Sequence, residues 1–147
     1  ALLLLFSAMV VLGSRLDEPS GIGLGCMSVS GQYSNGVPLD EQAAFEFFKG
    51  VYEAGCRHYD TAEVYKSGPL GAPPAADTVF NEAQLGRFLK TVPRESFTVA
   101  TKYMPLLREG KCDYDSVKAA LLSSLERLGL AHVDVYFSHV VLSCEAE

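Results

Sequence analysis

No stretch of this chain gathers basic residues, because 12 Lys and Arg are scattered among 18 Asp and Glu and leave a net charge of −6. Neutralising a nucleic-acid backbone takes a basic face, so nucleic acid is excluded as the expected partner. Cys-x-x-Cys pairs are missing as well. The four cysteines, Cys26, Cys56, Cys112 and Cys144, lie far apart, so the sequence signals neither a zinc knuckle nor a redox pair, and no metal site is expected. Reduced thiols in a cytoplasmic setting are the default for such spacing. Long apolar runs are absent too. Leu2-Leu3-Leu4-Leu5-Phe6 and Met9-Val10-Val11-Leu12 fall within the first thirteen residues, short of the roughly 20 that span a bilayer. This segment resembles the centre of a signal peptide but has no initiator Met and no basic residue ahead of it. A trimmed targeting segment, an opening strand or hairpin, and non-native sequence are all open readings. We therefore set residues 1–18 apart as an apolar leader or non-native segment and expect one domain over residues 19–147. At 48% hydrophobic and 20% charged, the composition is that of a soluble globular domain.

What is present is an alternation of strand and helix signals. Gly21 to Ser28 is a short apolar run whose glycines admit close neighbours, and it reads as a first strand. Asp40 can cap a helix carrying Ala44, Phe47, Phe48, Val51 and Tyr52 at helical spacing, and Gly55 stops it. A second strand ends in Asp60-Thr61-Ala62. The stretch from Lys66 to Asp77 holds Gly68, Pro69, Gly71, Pro73 and Pro74 and reads as a surface loop. Asn81 with Gln84 has the form of a capping box ahead of Leu85, Phe88 and Leu89, and Pro93 closes that helix. Strand three is Phe97 to Lys102. The helix after it is capped by Asp113 or Asp115, carries Val117, Leu121, Leu125 and Leu128, and ends at Gly129. Strand four runs from Val133 to His139.

Strands alternating with helices imply right-handed crossovers and a parallel sheet. An open doubly wound sheet and part of an eight-stranded barrel both fit. Gly-x-Gly-x-x-Gly at the first turn would mark a dinucleotide-binding open sheet. Here Gly21, Gly23 and Gly25 alternate inside the strand instead, which favours the barrel. In a barrel the carboxyl ends of the strands share one rim, and chemically able residues there read as catalytic. Asp60, Lys102 and His139 each close a strand, and Tyr65 follows Asp60 by five residues. Taken singly, Asp60 could cap a turn, Lys102 could be a solvated strand-end charge, and His139 a satisfied core histidine. Their joint placement argues for proton transfer to a small polar group. His58 shares the Asp60 face by the period of two and reads as a packed barrel residue. His132 reads as a surface residue, Asp134 as a buried structural hydrogen-bonding group, and Cys26 carries no charge pattern of a nucleophile.

Gly23-Leu24-Gly25-Cys26-Met27-Ser28, Gly55-Cys56-Arg57-His58-Tyr59-Asp60-Thr61-Ala62-Glu63-Val64-Tyr65, Asn81-Glu82-Ala83-Gln84-Leu85-Gly86, Ala100-Thr101-Lys102 and Ser124-Leu125-Glu126-Arg127-Leu128-Gly129 together resemble the aldo-keto reductase superfamily, over about Gly21 to Val141. The resemblance implies an α/β fold, a partial (β/α)8 TIM barrel with about the first four strands and three helices. It also implies reduction of aldehydes or ketones with NADPH, NADP(H) being the cofactor and a small carbonyl compound the substrate. The family's catalytic tetrad would fall on Asp60, Tyr65, Lys102 and His139. Gly25, Cys26, Met27 and Asp60 would lie along the nicotinamide and its ribose. Tyr65 would supply the proton, its phenol made more acidic by a neighbouring Lys102 ammonium. Asp60 would hold Lys102, and a neutral His139 would orient the substrate oxygen. After His139 the family usually continues with a polar or aromatic residue, and this chain has Val140. Four strands of eight leave sheet edges open, which predicts self-association and weak cofactor binding by the isolated chain. The alternatives are a regulatory or binding protein that keeps the fold without the chemistry, like the family's channel subunits, and an inactive fragment.

Overall fold

The structure, a computed structural model, describes residues 22–32, 37–69 and 72–140. The leader assigned to residues 1–18 lies outside them. Four strands, β1 (Leu24–Gly25), β2 (His58–Asp60), β3 (Thr98–Tyr103) and β4 (Val135–Ser138), alternate with three helices, α1 (Glu41–Glu53), α2 (Asn81–Leu89) and α3 (Tyr114–Leu128). The strands are parallel and lie side by side in chain order. A doubly wound sheet reverses its strand order at a switch point. No reversal occurs here, and α1 packs on α2 and α2 on α3 in a single helical layer. This is the wall of a (β/α)8 barrel. Among the described residues no helix is long and apolar enough to cross a membrane.

The first strand is much shorter than expected. Gly21 to Ser28 was to be extended, but pairing stops at Gly25 and Met27–Ser30 coils into a 3-10 turn that ends on Gly31 at φ 95°. Alternating glycines offer few side chains to hold a long strand, and the turn lets Val29 and Ser30 reach the interior.

Asp40 caps α1 by accepting the Ala43 N–H at 2.8 Å. An Ala in its place would leave that amide without its acceptor at about 1 kcal/mol, seen as a lower urea midpoint at constant slope. An unchanged midpoint would show that the cap contributes nothing. On the same helix Ala44 and Phe48 are buried, whereas Phe47, a hundred degrees round from Phe48, is 38% exposed. Phe48, Tyr59 and Phe88 meet at centroid distances of 6.4 Å, and Leu85, Leu89, Val99 and Leu128 complete the core between helices and sheet.

Two expectations about the other helices are corrected. Asn81 does not cap α2; Phe80 occupies that position without a side-chain cap, and Asn81 is the first helical residue, fully buried. On α3, capped by Asp113, the deepest residues are Ala120, Ser124 and Leu128 rather than the whole Val117, Leu121, Leu125 stripe. The two helices approach closely where α2 carries Gly86: a Cβ built there would lie 2.2 Å from the Leu128 carbonyl oxygen. Buried Glu82 ties the layers together by accepting from Thr101 Oγ1 at 2.6 Å and Arg127 Nε at 2.6 Å.

Side chains alternate across β3. Val99 joins the helix-side core and Thr101 reaches Glu82 on α2, so Thr98, Ala100 and Lys102 face the opposite, inner side. His58 lies there too, packed and hydrogen-bonded through Nδ1 to Thr98 Oγ1, as the period of two implies. His132 is exposed. Asp134 is more open than expected but does hold structure, accepting from the Val99 N–H at 2.8 Å and from Arg94 at 2.7 Å. Cys26 and Cys56 are free thiols, whereas Cys112 is disulfide-bonded, which corrects the expectation that all the cysteines are reduced.

Between Tyr65 and Asn81 the chain leaves the rim and returns. The Ser67 N–H donates to Val79 O at 2.9 Å, the Val79 N–H donates to Ser67 Oγ at 2.9 Å, and Lys66 pairs with Phe80 across an antiparallel bridge.

Candidate active site

The carboxyl ends of β2, β3 and β4 bring Asp60, Lys102 and His139 to one rim, and Tyr65 reaches it from the turn after β2. That turn is fixed locally, because the Tyr65 N–H donates to Ala62 O at 3.0 Å. Lys102 is nearly buried, and its ammonium has three acceptors: Asp60 Oδ2 at 2.7 Å, Thr61 O at 2.8 Å and Tyr65 Oη at 3.2 Å. An ammonium has three N–H bonds, so all are directed. Its nitrogen also lies 4.7 Å from the Tyr65 ring centroid and 5.4 Å from that of Phe137. Burial pushes the Lys102 pKa down, and the bond to Asp60 opposes that fall. A lysine so placed releases its proton more readily than a free one.

His139 extends the β3–β4 ladder by donating its N–H to Tyr103 O at 2.7 Å, and its ring meets Tyr65 edge-on at 5.4 Å between centroids. Burial lowers its pKa and the Lys102 charge lowers it further, so the imidazole is neutral near pH 7. Its Nδ1 is buried and has no hydrogen-bond partner among the described residues. A neutral imidazole beside a phenol and an ammonium suits the orientation of a polar oxygen. All four residues singled out from the sequence are therefore brought together.

The residues expected along the cofactor divide. Gly25 is exposed on the rim beside Asp60, its register partner, and no atom lies within 4 Å of where its Cβ would be. Met27 is half-buried and packs on the cluster of Ala62, Val64, Tyr65 and Met104. Cys26 differs: its thiol is fully buried in the core, its N–H donates to Asp60 O at 2.8 Å, and its carbonyl accepts from Asn81 at 2.7 Å. Burial pushes the thiol pKa far up, so it is no nucleophile. The open space in front of Gly25, beside the half-exposed Asp60, leaves room for a planar group, whereas Cys26 turns into the core. Among the described residues no group of His, Cys, Asp and Glu could hold a metal ion.

Sequence reading missed three groups. Glu63 is buried under the rim and accepts from the Met104 N–H at 2.6 Å and from both terminal nitrogens of Arg108 at 2.8 and 2.7 Å. This clamp ties the turn after β2 to the 3-10 turn Pro105–Arg108 after β3 and seats Met104 against Tyr65. Only the position of Glu63 inside the second-strand motif could have drawn notice, because Arg108 is 45 residues away. Thr61 and Asn81 are the others, joined by Thr61 Oγ1 donating to Asn81 Oδ1 at 2.6 Å.

The sequence pattern of the aldo/keto reductase family matches residues 21–143. The chain is 32% identical over 139 residues to a probable aldo-keto reductase 1 of Glycine max, covering 90% of this chain and 36% of that protein. It is 30% identical over 125 residues to a D-threo-aldose 1-dehydrogenase of a Pseudomonas species, covering 69% of this chain and 35% of the relative. It thus spans about a third of the length of both. Among solved structures, a thermostable aldo-keto reductase crystallised with the inhibitor epalrestat superposes with a TM-score of 0.62 at 25% identity, over 82% of this chain and 38% of that one. A putative aldo-keto reductase from Pseudomonas aeruginosa shares the fold with a TM-score of 0.58 at 20% identity, over 82% of this chain and 43% of that one. A parallel strand-end rim, a family pattern over most of the chain and a relative matched along nine-tenths of it lead to one conclusion: the chain belongs to the aldo/keto reductase family.

Proposed function

We propose that this chain carries the proton-donating rim of an NADPH-dependent carbonyl reductase acting on a small aldehyde or ketone. The observation that carries the reading is the Lys102 ammonium, 2.7 Å from Asp60 and 3.2 Å from the Tyr65 hydroxyl. NADPH, when bound, supplies the hydride. As negative charge grows on the substrate oxygen, Tyr65 gives it the phenolic proton, and the donation is strongest in the transition state, where that charge is largest. Lys102 stabilises the phenolate left behind and, with its lowered pKa, can return a proton to it. Asp60 anchors the ammonium, and the neutral His139 directs an N–H toward the same oxygen. Gly25, Met27 and Asp60 would hold the nicotinamide end of the cofactor. Association of this chain through the edges of its sheet belongs to the same reading. A cytoplasmic setting does as well: the free Cys26 and Cys56 suit it, and the disulfide at Cys112 does not.

The test follows NADPH absorbance after addition of an aldehyde, in the full-length protein and its Lys102→Met variant. Removing the ammonium should lower kcat by about a hundredfold or more, the scale of a misplaced acid. Equal turnover by the two proteins would overturn the reading.

A further inference from the structure

Asn81 has no task in the chemistry above, yet it is fully buried at the junction of three rim segments. Its Oδ1 accepts from Thr61 Oγ1 at 2.6 Å, and its Nδ2 donates to Cys26 O at 2.7 Å and Ser30 Oγ at 3.3 Å. Its main-chain N–H donates to Tyr65 O at 3.0 Å. One residue therefore holds the end of β1, the end of β2 and the main chain of Tyr65. We propose that Asn81 is a positioning residue which, through Thr61, fixes the Lys102 ammonium against the Tyr65 hydroxyl. This inference rests on Tyr65 being the proton donor.

The argument turns on the ammonium rotor. Lys102 has three N–H bonds and three acceptors, one of which is the carbonyl of Thr61 at 2.8 Å. With Asp60 and Thr61 holding two N–H bonds, the third has one direction left, toward Tyr65 at 3.2 Å. Freeing the Thr61 carbonyl would free the rotor and lengthen the weakest of the three bonds. Thr61 is itself fully buried, and its side-chain anchor is the Asn81 amide oxygen. Asparagine suits the position because one short planar group must accept from Thr61 and donate to Cys26 at once. Aspartate could accept but not donate, and a carboxylate oxygen would face the Cys26 carbonyl.

A purely structural role would move stability and cofactor affinity together with turnover, whereas a positioning role separates them. The sharper variant is Thr61→Val, which keeps the shape and the main-chain carbonyl but deprives Asn81 Oδ1 of its donor. In the full-length protein it should lower kcat about tenfold, as a sub-ångström displacement can, with the NADPH dissociation constant changed by no more than about twofold. Thr61→Ser, which restores the hydroxyl, should regain most of the loss. Asn81→Ala should match or exceed Thr61→Val, and its thermal unfolding curve shows whether it has folded. Parental kcat in Thr61→Val, or a loss of NADPH affinity in step with kcat, overturns the inference. Tyr65→Phe separates the two levels: if Tyr65→Phe is inactive while Thr61→Val is unaffected, only the role of Asn81 falls. Full turnover by Tyr65→Phe would remove the reading beneath it.

Discussion

Replacing Tyr65 with Phe should abolish carbonyl reduction while leaving the fold and cofactor binding in place. The ring is 7% exposed, packs on Ala62, Val64 and Met104, and meets His139 edge-on, and Phe preserves every one of those contacts. The change removes one oxygen, the acceptor 3.2 Å from the Lys102 nitrogen. Lys102 keeps Asp60 and Thr61, which hold it in place. In the proposed reaction the lost step is thus confined to delivery of the proton, and a placed general acid typically contributes about 10²- to 10⁴-fold. Steady-state turnover of an aldehyde, set beside fluorescence titration with NADPH, reads the two quantities separately. Turnover at the parental rate would remove Tyr65 from the chemistry and require another donor within reach of His139.

Gly86→Ala should produce a larger loss of stability than a methyl added at any other described glycine whose φ is negative. Intrinsic preference argues the other way, because Ala inside a helix is favoured over Gly by about 1 kcal/mol. Geometry outweighs it. The new Cβ would stand 2.2 Å from the Leu128 carbonyl oxygen and 2.7 Å from its Cα, and these are main-chain atoms that cannot rotate away. Either α2 or the end of α3 must retreat, and Leu85, Phe88, Leu89 and Leu128 in the shared core would separate with it. Overpacking of this kind costs up to about 3 kcal/mol or more, which for a chain of this size lowers Tm by roughly 10 °C. A Tm within a degree or two of the parent would show that the helices slide apart freely.

The parts of this molecule that were legible in its sequence are those governed by near neighbours in the chain. Asp40 and Asp113 cap their helices because the cap bond spans three residues, and Gly129 ends α3 in the left-handed conformation that glycine tolerates. The strand-end positions of Asp60, Lys102 and His139 follow from the alternation of elements, so their convergence on one rim could be expected before any coordinate. What could not be read depends on partners remote in sequence. Asn81 satisfies the pattern of a capping box, yet the same letters serve one position further into the helix, and only its burial beneath Thr61 and Cys26 separates the two. Glu63 and Arg108 find each other through the turns after two adjacent strands, which no spacing rule encodes. Cys26 was expected along the cofactor, and its thiol lies buried in the core, a direction that a run of alternating glycines does not signal.

The bridge between Lys66 and Phe80, with Ser67 and Val79 exchanging hydrogen bonds just beyond it, has a consequence for how this family can diversify. It acts as a neck, because the bridge and its hydrogen bonds join the chain on either side of the excursion. Doubling the length of a flexible excursion costs only about 0.6 kcal/mol, so this segment can be lengthened, shortened or exchanged between relatives while Tyr65 and Asn81 stay anchored on either side. Under the proposed function, selectivity toward new compounds can thus change at this segment while Asp60, Tyr65, Lys102 and His139 stay as they are.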